Sequence, residues 1–287
     1  MLPRILIAIV LATATLQAAP TQSDILYVAD STNPAHRLDL YLPANNQTPA
    51  PLIVWTHGGA WRGGTKDSVG IEAMTERGWA IASVEYRLST EAPFPALIHD
   101  IKAAIRYLRA NAAELHLDPN TFVIAGDSAG GHLAALVGLS SHDPYLEGTL
   151  GAHLDTSSDI QAVVALFGAH NLTTILSQST PHGLNVRAPA LELLLGGPIA
   201  DTKEAAVLAS PIHYVSEHSC PVFIMHGDQD PQMPVNQSLE LWGKCKELGI
   251  PTHLEIIRGG AHGGPRFYDA TRLDIINTFL HSHLATH

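Results

Sequence analysis

The stretch Val123-Ile124-Ala125-Gly126-Asp127-Ser128-Ala129-Gly130-Gly131-His132-Leu133 carries the clearest chemical signal in this chain. It reads as an apolar strand, a tight turn of small residues, and a helix that starts near Ala129. The pattern Gly-x-Ser-x-Gly places a serine on a sharp strand-to-helix turn, with its hydroxyl clear of the sheet. Gly126 and Gly130 let strand and helix meet closely. The Ala129 amide, at the new helix N-terminus, points where a developing oxyanion would sit. A serine hydroxyl is a weak nucleophile. It needs a base, a group that orients the base, and donors for the oxyanion.

Two downstream loops supply the first two groups. His226-Gly227-Asp228-Gln229-Asp230-Pro231-Gln232-Met233-Pro234 follows an apolar run and holds two aspartates. Asp230 is the favoured acid because it lies further into the loop, where it can reach a histidine on the next one. Asp228 is expected to bind the backbone of its own turn, as aspartates in turns do. Arg258-Gly259-Gly260-Ala261-His262-Gly263-Gly264 follows the last apolar run, and His262 among its glycines is the expected base. The oxyanion donors are expected upstream, in His57-Gly58-Gly59-Ala60-Trp61, where small residues expose backbone amides. The amides of Gly59 and Ala60 join that of Ala129 there. His57 and Gly58 support the loop, and Trp61 packs beneath it or lines a pocket.

These loops need a scaffold. Apolar runs read as strands at Ile25–Ala29, Arg37–Leu42, Leu52–Thr56, Ala80–Val84, Ile160–Phe167, Val222–His226 and Thr252–Ile257, with one more before Ser128. In the second, Leu38, Leu40 and Leu42 alternate with Asp39 and Tyr41, so one face is expected to be buried. Helical spacing appears over Ala96–Leu115, Ala129–Leu139, Asn236–Leu248 and Arg266–His283, and more weakly over Asp67–Arg77. Strands alternating with helices predict an α/β fold, a mostly parallel central sheet with helices on both faces. Its active groups belong beyond the carboxyl ends of the strands. From 168 to 219 the pattern loosens, with prolines at 181, 189, 198 and 211. This segment is expected to be a small inserted cap whose one short apolar helix is Leu191–Leu195.

Composition narrows the function classes. The chain has 287 residues, 46% hydrophobic and 15% charged, enough for a substantial core. A formal charge of −11 argues against a nucleic-acid partner. The 17 histidines, with ordinary pKa values near ~6.5, make net charge climb steeply below neutral pH. Residues 1–19 read as a signal peptide: Arg4, an apolar run from Ile5 to Leu16, and a small-residue site for cleavage after Ala18 or Ala19. Residues 20–287 then form a secreted or periplasmic domain with no membrane span. Cys220 and Cys245 leave two alternatives open, a disulfide or two free thiols. His57, His226, His262 and the aspartates lack the helical spacings of a metal centre, so no metal and no cofactor is expected.

Taken together, His-Gly-Gly-Ala-Trp, Gly-Asp-Ser-Ala-Gly-Gly-His-Leu, His-Gly-Asp-x-Asp and Gly-Ala-His-Gly resemble the α/β-hydrolase esterases of the hormone-sensitive-lipase type. Trp61-Arg62-Gly63-Gly64 and Tyr86-Arg87-Leu88 resemble most the branch of feruloyl and acetyl xylan esterases. The resemblance implies the α/β-hydrolase fold. It implies a serine esterase with Ser128, Asp230 and His262 as its triad. The implied substrate is a small ester or an acylated polysaccharide, with short-acyl, aryl, acetyl or feruloyl groups. Ala60 stands where many lipase-like relatives carry glycine, and Met233 where relatives often carry valine. Arylformamidases share the His-Gly-Gly-x-Trp form, so an amide hydrolase is the alternative reading. A non-catalytic binding protein on the same fold is another, although such proteins typically lose a triad member.

Overall fold

The computed structural model describes residues 19–141 and 143–284. Eight strands form one sheet: β1 (Gln22–Leu26), β2 (Arg37–Tyr41), β3 (Ala50–Thr56), β4 (Ala80–Val84), β5 (Leu117–Asp127), β6 (Ala162–Leu166), β7 (Val222–Gly227) and β8 (Thr252–Ile257). Their spatial order is β1-β2-β4-β3-β5-β6-β7-β8. β1 and β2 pair antiparallel with each other, β2 pairs antiparallel with β4, and the pairings from β4 through β8 are parallel. The helices are α1 (Ala96–Ala110), α2 (Ala129–Leu139), α3 (Pro144–Glu147), α4 (Ile175–Gln178), α5 (Pro181–Leu195), α6 (Lys203–Leu208), α7 (Asn236–Glu247) and α8 (Ala270–Leu284). This is the α/β-hydrolase fold.

The two-residue period of the strands sorts their side chains into two cores. Leu52, Val54, Ala80, Ala82, Ile124, Val163 and Ile224 join the cluster that also takes α1, α2, α5 and α7. Ile53, Trp55, Ile81, Val123, Val164 and Phe223 join the cluster covered by α8. Burying both faces is the condition for a parallel sheet. It also corrects the reading of β2. Tyr41 enters the second core, and Asp39 is buried as well because the Lys66 ammonium meets its carboxylate at 2.9 Å.

Other boundaries moved for physical reasons. β1 occupies 22–26 rather than 25–29; it is an edge strand whose residues are largely exposed, so it carries little apolar signal. The expected helix over 67–77 is a 3-10 turn at Glu72–Arg77 only. α1 ends at Ala110, five residues early, while the final helix starts at Ala270 after a 3-10 turn at Pro265–Phe267. Asp118-Pro119-Asn120 forms a bulge within β5. Leu117 pairs with Ala50 and Phe122 with Leu52, so Pro51 alone stands opposite residues 118–121.

The largest departure lies between β6 and β7. The prolines do not break the segment into loops, for α5 runs fifteen residues. Pro181 takes the first helical turn, where its missing N–H would have been unpaired anyway, and the Thr180 hydroxyl caps that turn by accepting from the Gly183 amide. Pro189 removes one interior hydrogen bond. The helix continues through it because Ala190, Leu191 and Leu194 are buried against the body. Leu184, by contrast, is partly exposed.

Among the described residues no helix is long and apolar enough to cross a membrane. The expected leader lies, apart from Ala19, outside the described residues. Cys220 and Cys245 are free thiols. Burial pushes both thiols up, Cys220 to about 12.

Candidate active site

The turn after β5 holds Ser128 at φ 51°, ψ −116°, a left-handed conformation costly for a residue with a side chain. Surrounding packing enforces it. The Ser128 amide donates to the Leu166 carbonyl at 2.9 Å, while the Thr56 hydroxyl bridges the carbonyls of Ala125 and Gly130. A Cβ on Gly130 would overlap the Thr56 carbonyl, so α2 can approach β3 this closely only with glycine there.

The structure brings Ser128 to the two downstream loops. Its hydroxyl lies 2.8 Å from His262 Nε2, and His262 Nδ1 lies 2.6 Å from Asp230 Oδ2. Burial disfavours the charge on Asp230, but hydrogen bonds from His226 and His262 outweigh it and hold the carboxyl far below the usual range. Asp230 is therefore an ionised acceptor, and His262 Nδ1 must carry the ring proton. Nε2 is then the acceptor and Ser128 the donor. The second oxygen of Asp230 accepts the amides of Gln232 and Met233, both at 2.8 Å, which fixes the carboxylate.

Asp228 behaves differently from expectation. It accepts the amide of Gly259 on the following loop at 2.6 Å, not one of its own turn. It thereby ties the loop of the acid to the loop of the histidine.

The His57–Trp61 loop is wound tightly, with Gly59, Ala60 and Trp61 all at positive φ. Gly59 is required twice over, by its φ of 120° and because a Cβ would overlap the Gly63 carbonyl. His57 donates from Nδ1 to the Gly58 carbonyl at 2.7 Å, stacks on Tyr86, and turns Nε2 toward Glu85 at 3.3 Å. The Tyr86 hydroxyl in turn donates to the His57 carbonyl at 2.6 Å. Arg87 anchors the same segment through paired contacts to the buried Asp100. Trp61 does both things expected of it. It is 2% exposed, donates to His132 Nδ1 at 3.0 Å, and lines a cavity.

Three further residues shape the site. His226 is fully buried behind Asp230. Its Nε2 lies 3.0 Å from the Met233 carbonyl and 3.3 Å from Asp230 Oδ2, so that nitrogen bears the proton and Nδ1 accepts from Ser238. Phe167 sits edge-on against the His262 ring, 5.0 Å between centroids, and limits its rotation. Tyr268 donates to Asp127 at 2.7 Å. Burial raises Asp127 all the same, and raises Tyr268 strongly. His226 stands in the His-Gly-Asp-x-Asp motif, though its support of Asp230 is not legible there; Phe167 and Tyr268 carry no motif.

Two cavities flank Ser128 and His262. One is an open cleft of about 450 Å³ that reaches Gly58, Gly59, Asp127, Phe167 and Tyr268. The other is smaller and more enclosed, about 30 Å³, and lies between Trp61, Ala129, Met233 and the α5 residues Arg187 and Ala190. Ala60 borders both. Among the described residues no cluster of three or more His, Cys, Asp or Glu is arranged to hold a metal ion.

Comparison with known proteins agrees with this architecture. The BD-FAE family model matches residues 38–245. The esterase LipC of Mycobacterium tuberculosis is 34% identical over 218 residues, 75% of this chain and 52% of that protein. The isoprenylcysteine alpha-carbonyl methylesterase ICME of Arabidopsis thaliana is 27% identical over 234 residues, 80% of this chain and 54% of that protein. The chain thus spans about half the length of the curated relatives it matches. Among solved structures, a truncated carbohydrate esterase from gut microbiota matches with a TM-score of 0.84 and 32% identity, covering 92% of this chain and 96% of that one.

Proposed function

This chain belongs to the BD-FAE family of α/β-hydrolase esterases, and we propose that it hydrolyses esters of short carboxylic acids through Ser128, His262 and Asp230. The observation that carries the reading is the hydrogen-bonded series Ser128–His262–Asp230 placed between one small cavity and one wide cleft.

His262 Nε2 takes the Ser128 proton as Oγ attacks the ester carbonyl. Asp230 keeps the reactive tautomer and stabilises the imidazolium. The amides of Gly59, Ala60 and Ala129 receive the oxyanion. The imidazolium then protonates the leaving alcohol, and water releases the acid by the same relay. The alcohol must depart and water must enter, so the open cleft serves the alcohol. The small, more enclosed cavity holds what stays on the serine. A water needs roughly 10–15 Å³ of such volume, so this one holds about two or three non-hydrogen atoms. That suits acetyl or propionyl groups and is too small for a feruloyl ring. The open cleft is wide enough for a sugar, which supports acetylated polysaccharide as the natural substrate class. We also propose export, on the strength of Arg4 and the apolar run that follows; N-terminal sequencing of the protein recovered outside the cytoplasm tests it.

The test is a panel of p-nitrophenyl acetate, a long-chain p-nitrophenyl ester, methyl ferulate, acetylated xylan and N-formylkynurenine, with Ser128→Ala as control. Release of acetate, absent in the variant, is the expected result. A preference for ferulate or the long chain overturns the acyl-pocket assignment, and a preference for the formamide replaces the ester reading with an amidase one.

A further inference from the structure

The small cavity beside Ser128 is lined by a charge that the hydrolysis described above does not use. Arg187, on α5, is only 4% exposed and lines the cavity beside Ser128, Trp61 and His262. Its Nε is buried with no hydrogen-bond partner. The acceptor found for its guanidinium is the Met233 thioether, 3.6 Å from Nη1, and a thioether is a weak one. The two other buried cations among the described residues each have an anion, although Arg106 Nε is also unpartnered. Lys102 and Arg106 both pair with Glu147, and Arg106 also bonds the Leu150 carbonyl. Burial pushes the Arg187 guanidinium down to about 10; Asp230 is near enough to favour its charged form in part, yet the Asp230 oxygens are taken by His262, His226 and two amides. A guanidinium buried without an anion is unfavourable for the fold, and such a group is characteristic of a binding site awaiting its ligand.

We propose that Arg187 is a substrate-specificity residue that recognises a carboxylate on the acyl group, so that the preferred esters are half-esters of short dicarboxylic acids. This rests on the assignment of the small cavity to the acyl group. With the acyl methylene at the mouth near Ser128, a carboxylate is the right size for the remaining two or three atoms of space, and it offers the planar pair of oxygens that a guanidinium fork matches. No step of the acyl transfer changes: the carboxylate is bound, and the ester bond is the one cleaved.

Monoethyl malonate and ethyl isovalerate form a matched pair. Their acyl groups have the same branched shape, and the carboxylate of one replaces two methyl groups of the other. The experiment measures kcat and KM for both with wild type, Arg187→Met and Arg187→Lys, alongside p-nitrophenyl acetate and Ser128→Ala. Wild type is expected to favour the malonate. A charge-assisted pair predicts that Arg187→Met lowers the malonate-to-isovalerate ratio of kcat/KM by about 10- to 100-fold, mainly through KM. Arg187→Lys should keep part of the ratio. Thermal unfolding separates this from a structural role. Replacing an unpaired buried charge with an apolar side chain should leave Tm equal or higher, whereas loss of a structural contact lowers it. A ratio unmoved by Arg187→Met, or a Tm that falls while both esters lose rate equally, overturns the proposal. Those results with p-nitrophenyl acetate still cleaved in a Ser128-dependent way leave the esterase reading standing. No cleavage of any ester by wild type removes both.

Discussion

Asp230→Asn tests the central geometry most sharply. In the native site Oδ2 accepts the His262 Nδ1 proton at 2.6 Å, and Oδ1 accepts two backbone amides at 2.8 Å. Asparagine keeps the shape but has only one oxygen. If that oxygen stays on the two amides, its NH2 faces Nδ1, which must then give up its proton to become an acceptor. The ring proton moves to Nε2, pointing at Ser128, and the base is lost. Loss of a base of this kind costs about 10³–10⁴ in kcat, some 4–5.5 kcal/mol at 1.36 kcal/mol per tenfold. Asp228→Asn is the control, since an amide oxygen can still accept the Gly259 N–H. It should cost less than about fivefold, as only a neutral hydrogen bond replaces a charge-assisted one. The assay is initial rate on p-nitrophenyl acetate across pH 5–9, with unfolding monitored for each variant. If Asp230→Asn keeps more than a tenth of the wild-type kcat, or if Asp228→Asn proves the more damaging, the assignment of the acid is wrong.

Further outcomes follow from the same contacts. The Asp230 carboxyl is held below its unfolded value, so its contribution to stability is complete above pH ~4 and is lost as pH falls further. Acid unfolding of Asp230→Asn should therefore be shallower than that of wild type below that pH. His132, fully buried, is depressed to about 4 by desolvation. The unfolded chain binds that proton first, so stability falls as pH drops from ~6.5 to 4, by about 3 kcal/mol in total. His132→Gln should flatten the Tm profile over this range, and an unchanged slope refutes the assignment. Gly130→Ala drives a methyl into the Thr56 carbonyl. Overpacking of about 1–3 kcal/mol should lower Tm by at least about 3 °C and disturb the serine turn. In the native protein Cys245, which is buried, should react far more slowly with a thiol reagent than the half-buried Cys220, and two thiols should appear on unfolding; fewer than two would mean a disulfide.

Local signals gave much of this protein directly. Ala80–Val84, Ala129–Leu139 and Thr252–Ile257 are read from periodicity with the same ends that the structure has. In each, an alternating or continuous apolar run stops at residues that cannot continue it. Gly59 is equally local, since its φ of 120° and its approach to Gly63 exclude other side chains whatever lies elsewhere, whereas Gly126 and Gly130 are required by Thr56 on β3. The chain order of Ser128, Asp230 and His262, each after its strand, is likewise visible without coordinates.

What the tertiary structure decided depends on groups far apart in sequence. α5 passes through Pro189 because burial of its apolar side outweighs one lost hydrogen bond, and no window of residues contains that comparison. Asp228 binds the loop 31 residues on, since β7 and β8 are neighbours and carry their loops together. Phe167 against His262, Tyr268 on Asp127 and Arg187 beside Ser128 join positions about 60 to 140 residues apart. A sequence shows that an arginine is present, but only packing shows that this one is buried with no anion to meet it. Pairing and burial are properties of the surroundings, and the surroundings exist only once the sheet has brought the distant segments together.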